Sequence, residues 1–388
     1  MKIDRSFKLT HVFLVEPGLH CSAGHMRGEV EAFASGLLNL GLKCTVVGWK
    51  PPSRAFDKSI NSQFVNSRYE RLIESLPPKV GVRLLEFLTY RKAFSLGYNI
   101  KKCAILGLTA SGPFGPALAV CISGKLPVTL LINRHLGNAA QRTTSSWRLA
   151  FEILARRGVA LGAYSESVAS SLRSILPYHA RMIRHLPEVI ADIPADDHSH
   201  SKKLHGVLLV SGTDSVGRRA PIRHLTELAT IPFRKVILHD PSGRFEECDQ
   251  LQIKHKSSVE FERVSTYFTS DFTAFLKTSS AVLVAYSPSF MNPSSILRHA
   301  LSANVPAISS RFPDADFLHA QFGCIGETWT FDDTKSLSFA MDRFLCWNES
   351  NFVKLEQASV GLKQWANPLA SARAHIQFML DSRRPADA

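Results

Sequence analysis

The stretch AVLVAYSPSFMNPSSILRHALSANVPAIS, residues 281–309, decides the fold. Its first five residues are apolar without alternation. A Ser- and Pro-rich loop follows, then a helical-period segment at 296–303, Asn304, and a second apolar run at 305–309. An unbroken apolar run suits a strand covered on both faces. Two such runs joined through a helix predict parallel neighbours linked by a right-handed crossover.

The same alternation extends in both directions. Apolar, β-rich runs recur at 11–15, 44–48, 103–106, 127–132, 159–164 and 181–185, then at 206–210, 235–239 and 259–262, with helical-period segments between them. Strands alternating with helices imply parallel sheets. Residues 188–203, with Pro194 and the run Asp196-Asp197-His198-Ser199-His200-Ser201, separate the two sets and read as an exposed linker. The expected organisation is a first α/β domain over 1–190, a linker at 191–204 and a second domain over 205–365. A C-terminal helix in 366–388 can cross back to the first domain.

Bulk properties agree. A chain of 388 residues, 45 % apolar and 20 % charged, suits two soluble α/β domains. Cys21, Cys44, Cys103, Cys121, Cys248, Cys324 and Cys346 are odd in number and form no CxxC pair, which argues for a reducing cytosol and against a zinc site. Lys2, Asp4, Arg5 and Lys8 precede only a strand-length apolar run, so no secretory signal is expected. The uncharged stretch 104–124 is broken by Gly107, Ser111, Gly112, Pro113, Gly115 and Pro116, and reads as strand, loop and helix rather than a membrane span. The net charge of +13 draws the protein toward polyanions: lipid headgroups, nucleotide diphosphates or nucleic acid. No RNA-binding or helix-turn-helix signature accompanies it, so nucleic acid is not expected.

Open parallel sheets bind ligands beyond the carboxyl ends of their strands, so chemistry is expected there. After the first strand, a small-residue loop brings Gly24 and His25 to a helix start, a place for a diphosphate, with His25 lining the cleft. After 127–132 comes His135, placed to bond a sugar hydroxyl or move a proton. After 206–210, Arg218 and Arg219 can clamp a phosphate in bidentate fashion. After 281–285, the loop with Ser287 and Asn292 leads to Ser294 and Ser295, both good N-caps for a helix whose positive end faces a diphosphate. Each feature also has a plainer reading, as a tight turn, a structural histidine, a solvated basic loop or an ordinary capped helix.

His299-Ala300-Leu301-Ser302-Ala303-Asn304-Val305-Pro306-Ala307 resembles the E-A-x-A-x-G-x-P-V motif of GT-B glycosyltransferases. The likeness is to the retaining group that includes glycogen synthases and bacterial polysaccharide and lipid-sugar transferases. Tyr164-Ser165-Glu166-Ser167 is similar to that group's strand end near the close of the first domain, and Arg219 falls at its phosphate-binding Lys. The resemblance implies two Rossmann-like parallel-sheet domains facing a central cleft. It implies a nucleotide-diphosphate sugar as co-substrate, no cofactor, no metal and a retaining transfer. It assigns His135 to the donor sugar, His299 to the donor site, and His25 to the acceptor side. Two glutamates, eight positions apart in the family, are here Met291 and His299, and the Arg of the family's phosphate loop is Thr213. The usual contacts to ribose and reacting sugar are therefore not inherited.

Acceptor identity should lie in the first domain. Residues 79–102 mix Lys79, Arg83, Arg91, Lys92, Lys101 and Lys102 with Leu84, Leu85, Phe87, Leu88, Tyr90, Phe94 and Tyr98. Such a helix suits an anionic membrane surface and a lipid-linked or glycan acceptor, or else packs its apolar face on the core. A cytoplasmic protein, peripheral at the inner face of the membrane and serving polysaccharide or glycoconjugate synthesis, is the expectation. The alternatives are a non-catalytic GT-B relative that binds nucleotide or carbohydrate, a nucleotide-sugar epimerase, and a nucleic-acid-binding protein.

Overall fold

Along β1, His11–Glu16, successive side chains enter two different cores. Phe13 and Val15 join one apolar cluster, Val12 and Leu14 another. Neighbouring strand residues point to opposite faces, so an unbroken apolar strand needs cover on both. The computed structural model of the chain supplies that cover. It describes residues 9–19, 25–52, 55–65, 69–100, 102–109, 112–123, 128–132, 145–190, 206–211, 220–240, 243, 245, 248–265 and 269–382, with the side chains of 25, 26 and 269–271 excepted.

The first sheet adds β2 (Lys43–Gly48), β3 (Asn61–Phe64), β4 (Cys103–Gly107), β5 (Val128–Ile132), β6 (Val159–Ala163) and β7 (Ile183–His185). Its order is β3-β2-β1-β4-β5-β6-β7, with every pair parallel. The cluster of Val12 and Leu14 is closed by α1 (His25–Asn39) and α14 (Pro368–Asp381), through Phe33, Leu37, Phe378 and Met379. The cluster of Phe13 and Val15 is closed by α3 (Pro78–Tyr98), α4 (Phe114–Ile122), α5 (Ser145–Arg156) and α6 (Glu166–Ile175), while α2 (Glu70–Glu74) packs on α3.

The second sheet contains β8 (Val207–Ser211), β9 (Lys235–His239), β10 (Glu260–Val264), β11 (Ala281–Val284), β12 (Ala307–Ser310) and β13 (Gly326–Trp329). Its order is β10-β9-β8-β11-β12-β13, again all parallel. Its helices are α7 (Pro221–Glu227), α8 (Cys248–His255), α9 (Thr269–Thr278), α10 (Ser295–Ser302), α11 (Pro313–Phe322), α12 (Thr334–Leu345) and α13 (Glu349–Ala366).

The chain divides into two compact units, Met1–Ala191 together with Ala366–Ala388, and Asp192–Trp365. The last helix, α14, thus belongs to the first sheet and lies along α1. A β-carbon at Gly36 of α1 would stand 2.1 Å from the Pro368 carbonyl oxygen, so only glycine lets the two helices close.

Four findings differ from the sequence expectation or sharpen it. β3 and β13 have no apolar run to announce them. Both are edge strands, with a partner on one side only, and polar side chains are tolerated there. Glu188, Val189 and Ile190 are buried, and the Ile190 N–H donates to the Ala366 carbonyl at 2.9 Å, so the stretch read as exposed from 188 begins inside the first unit. The rest of that stretch, with its Asp/His run, lies outside the described residues. Residues 104–107 lie in β4 and 114–122 in α4, and no helix among the described residues is long and apolar enough to cross a membrane. In α3, Phe87, Leu88, Tyr90 and Phe94 face the core, with Leu84 and Leu85 packed against it. Lys79, Arg83 and Arg91 are exposed. Phe87, Leu88, Tyr90 and Phe94 therefore anchor this helix to the sheet, while Tyr98 stays exposed.

Candidate functional site

In the second sheet β8 lies between β9 and β11, and the direction in which the chain adds strands reverses there. Reversal sends the two flanking connections to opposite faces and leaves a crevice beyond the carboxyl ends. Ser211 ends β8 and His239 ends β9, and the Ser211 Oγ lies 3.0 Å from His239 Nδ1. His239 is buried, as is Asp240 beside it. The Phe272 ring of α9 sits 5.2 Å from the His239 ring and 6.3 Å from that of His299 on α10. Three rings from three elements thus meet near this end of the sheet.

The loop after β11 is held from both sides. The Tyr286 N–H donates to Ser310 Oγ at 2.8 Å, and that hydroxyl donates back to the Tyr286 carbonyl at 2.7 Å, which ties the ends of β11 and β12. Tyr286 stacks on Phe290 at 4.1 Å, with Phe312 edge-on at 5.0 Å. Ser287 Oγ meets Ser289 Oγ at 2.8 Å. Ser294 is the N-cap of α10: its Oγ accepts the Leu297 N–H at 3.3 Å, and Ser295 is the first helical residue. The positive end of α10 therefore opens at the carboxyl edge of the sheet, the arrangement that binds phosphates elsewhere.

Beneath that end lies an ion pair, Arg298 with Asp314, each side chain 1 % exposed. The fork is bidentate, with Arg298 Nη1 on Asp314 Oδ2 at 2.6 Å and Nη2 on Oδ1 at 2.7 Å. Removing one partner of such a buried pair typically costs about 3–5 kcal/mol, because the other charge is left unpaired.

In the first sheet the corresponding reversal falls between β1 and β4. Glu16 ends β1 and is 1 % exposed. Its Oε1 accepts the Gly18 N–H at 2.8 Å, and both its oxygens lie 2.7 Å from Thr109 Oγ1, just beyond β4. Tyr90 Oη donates to the Thr109 carbonyl at 3.1 Å. Burial first, then the charges of Glu86 and Glu16, hold the Tyr90 phenol well above its ordinary pKa, so it stays a donor. A β-carbon at Gly107 would stand 2.1 Å from that oxygen, so the strand end is glycine to admit the phenol.

Of the residues singled out from the sequence, Ser287, Asn292, Ser294 and Ser295 lie along the β11–α10 connection and the start of α10; the Ser294 N–H reaches Asp314 of α11, and the ring of His299, within α10, lies near Phe272 of α9. Gly24, His135, Arg218 and Arg219 lie outside the described residues, as does Thr213. His25 opens α1, and its side chain is likewise outside. Among the described residues no group of three or more His, Cys, Asp or Glu could hold a metal ion. Sequence reasoning missed Glu16, Thr109, Ser211, His239, Phe272 and the Arg298–Asp314 pair. Ser211 and His239 were within reach, since each ends an apolar run. Arg298 had a subtler signal, a cation on the same stripe as Leu297 and Leu301.

No protein-family model matches the chain, and no curated protein matches it by sequence. Solved structures do. A glycosyltransferase from Rickettsia africae superposes with a TM-score of 0.67 at 12 % identity, over 98 % of this chain and 100 % of the other. The sucrose-phosphate synthase of Thermosynechococcus elongatus gives 0.65 at 14 % identity, over 95 % and 98 %. Anabaena HepE, solved in complex with UDP, gives 0.63 at 13 % identity, over 96 % and 100 %. The chain has the GT-B glycosyltransferase fold, with its two all-parallel sheets.

Proposed function

We propose that the protein is a glycosyltransferase that moves a sugar from a nucleotide-diphosphate sugar to a glycan or lipid-linked acceptor. The observation that carries this reading is the capped, pinned end of α10 at the reversal point of the second sheet, within a fold shared over nearly the full chain with glycosyltransferases. HepE, one of the structures that the chain resembles, was solved with UDP-glucose. A nucleoside diphosphate is the ligand that this helix end suits.

Breaking a sugar–phosphate bond leaves charge on the departing diphosphate while the sugar becomes oxocarbenium-like. Donors already aimed at the diphosphate stabilise that state without reorganisation, and losing one typically costs about 3–4 kcal/mol, or roughly 10²–10³ in rate. We assign that role to Arg218 and Arg219 with the α10 end, and contacts to the donor to Gly24, Ser287, Asn292, Ser294, Ser295 and His299. His135 serves the sugar, and His25 the acceptor side. A retaining, metal-independent transfer is the form that the sequence resemblance favours. Net charge +13 favours an anionic membrane surface as a partner on the cytoplasmic side. A second reading, a relative that binds nucleotide without transfer, is favoured by Met291 and His299 standing where the resembled group has its glutamates.

Thermal unfolding with nucleotide diphosphates and nucleotide sugars tests the donor site. A ligand at a hundredfold excess over its Kd raises stability by about 2.7 kcal/mol. The shift should be selective for one base and should vanish in Arg219→Ala; no shift with any nucleotide overturns the proposal. Transfer to an acceptor then separates enzyme from binding relative, and co-sedimentation with anionic but not neutral vesicles tests the membrane partner.

A further inference from the structure

Arg298 stands in the first turn of α10 and Asp314 in the first turn of α11. The helix dipole opposes the Arg298 cation and favours the Asp314 anion, so the two effects offset, and taking both charges out of water costs about as much as their attraction returns. Stability alone therefore gives little reason for this pair. Its geometric effect is specific. Asp314 Oδ2 accepts the Ser294 N–H at 2.7 Å as well as Arg298 Nη1, and that same Nη1 reaches the Ser294 carbonyl at 3.4 Å. Both main-chain polar groups of the N-cap are thus held by one buried pair that spans two helices.

We propose that Arg298 and Asp314 are positioning residues for the donor site: they fix Ser294, and through it the direction of the first turn of α10 and the seat of the loop before it. The inference rests on the reading of that helix end as the donor site. It reaches beyond the resembled motif, which assigns nothing to either residue.

The test replaces both charges by apolar side chains of similar bulk, Arg298→Met with Asp314→Leu. Removing a buried pair together leaves no orphan charge, so this variant should fold, with its melting temperature lowered only by the lost acceptor of the Ser294 N–H. Its amides over 287–297 should exchange with deuterium at least tenfold faster than in the wild type, while those of β8, β11 and β12 are unchanged. Its apparent affinity for UDP, GDP or ADP, whichever stabilises the wild type, should fall at least tenfold. Unchanged exchange over 287–297, or unchanged nucleotide affinity, in the folded double variant overturns the inference. Arg298→Lys keeps the charge but loses the fork, and should give intermediate values; if the double variant does not fold, wild-type exchange in Arg298→Lys overturns it. A wild type that answers to none of the three nucleotides defeats the donor reading itself, and amide exchange still decides whether the pair positions the loop.

Discussion

At the scale of single residues, buried carboxylates recur where strands end. Glu16 gathers a main-chain N–H and a hydroxyl beside β1 and β4, and Asp314 gathers a main-chain N–H and a guanidinium beside α10. Each converts a flexible connection into a fixed one with charge-assisted bonds. Buried histidines act differently. His375 of α14 is fully buried, edge-on to Phe33 at 4.8 Å, with Nδ1 2.7 Å from the Ser371 carbonyl. Burial pulls its pKa from 6.5 down to about 4, the Ser371 contact opposing only in part. Between those values the unfolded chain binds the extra proton, so this contribution is complete above pH 6.5 and is lost as pH falls toward 4. From pH 7 to pH 5 the loss is on the order of 2 kcal/mol. Urea unfolding at the two pH values should show that fall in the wild type and a smaller one in His375→Phe. His224, His255 and His319, also lowered mainly by burial, keep the variant's slope above zero.

At the scale of elements, α10 shows how local chemistry and packing combine. Ser294 ends the preceding loop because its hydroxyl can take the Leu297 N–H, which the helix itself cannot satisfy. Ser294→Ala should lower stability by about 1 kcal/mol in denaturant unfolding, and an unchanged midpoint would mean that Asp314 alone holds the cap. The element α3 teaches the opposite lesson. Its mixture of basic and aromatic residues fits a membrane face or a core face equally well in sequence. Its core face was set by α4, which packs along it, and by Gly107, which makes room for Tyr90.

At the scale of the whole molecule, the first unit is built from two distant pieces of chain. Phe378 and Met379 are both fully buried in the cluster formed with α1 and β1. Burying each is worth about 1.5–3 kcal/mol. A chain ended at Trp365 should therefore lose a large part of the roughly 5–15 kcal/mol that stabilises a domain. The expected result is a first unit that binds a hydrophobic dye and unfolds at low denaturant; a wild-type unfolding curve would refute this account of α14.

Sequence by itself determined what depends on neighbours along the chain. Apolar, β-rich runs named eleven strands, most of them unbroken because burial on both faces leaves no room for polar side chains, and Ser294 was legible because capping reaches only three residues ahead. The order of the strands, the edge strands β3 and β13 that no apolar run announced, and the packing of α14 on α1 were decided by tertiary structure. So were the contacts of Glu16 with Thr109, Ser211 with His239, and Arg298 with Asp314. The first two of these contacts join residues 93 and 28 positions apart, and the third crosses from one helix to the next. Hydrogen bonds of that span leave no periodicity in the sequence, because the partners meet only after the sheets have formed.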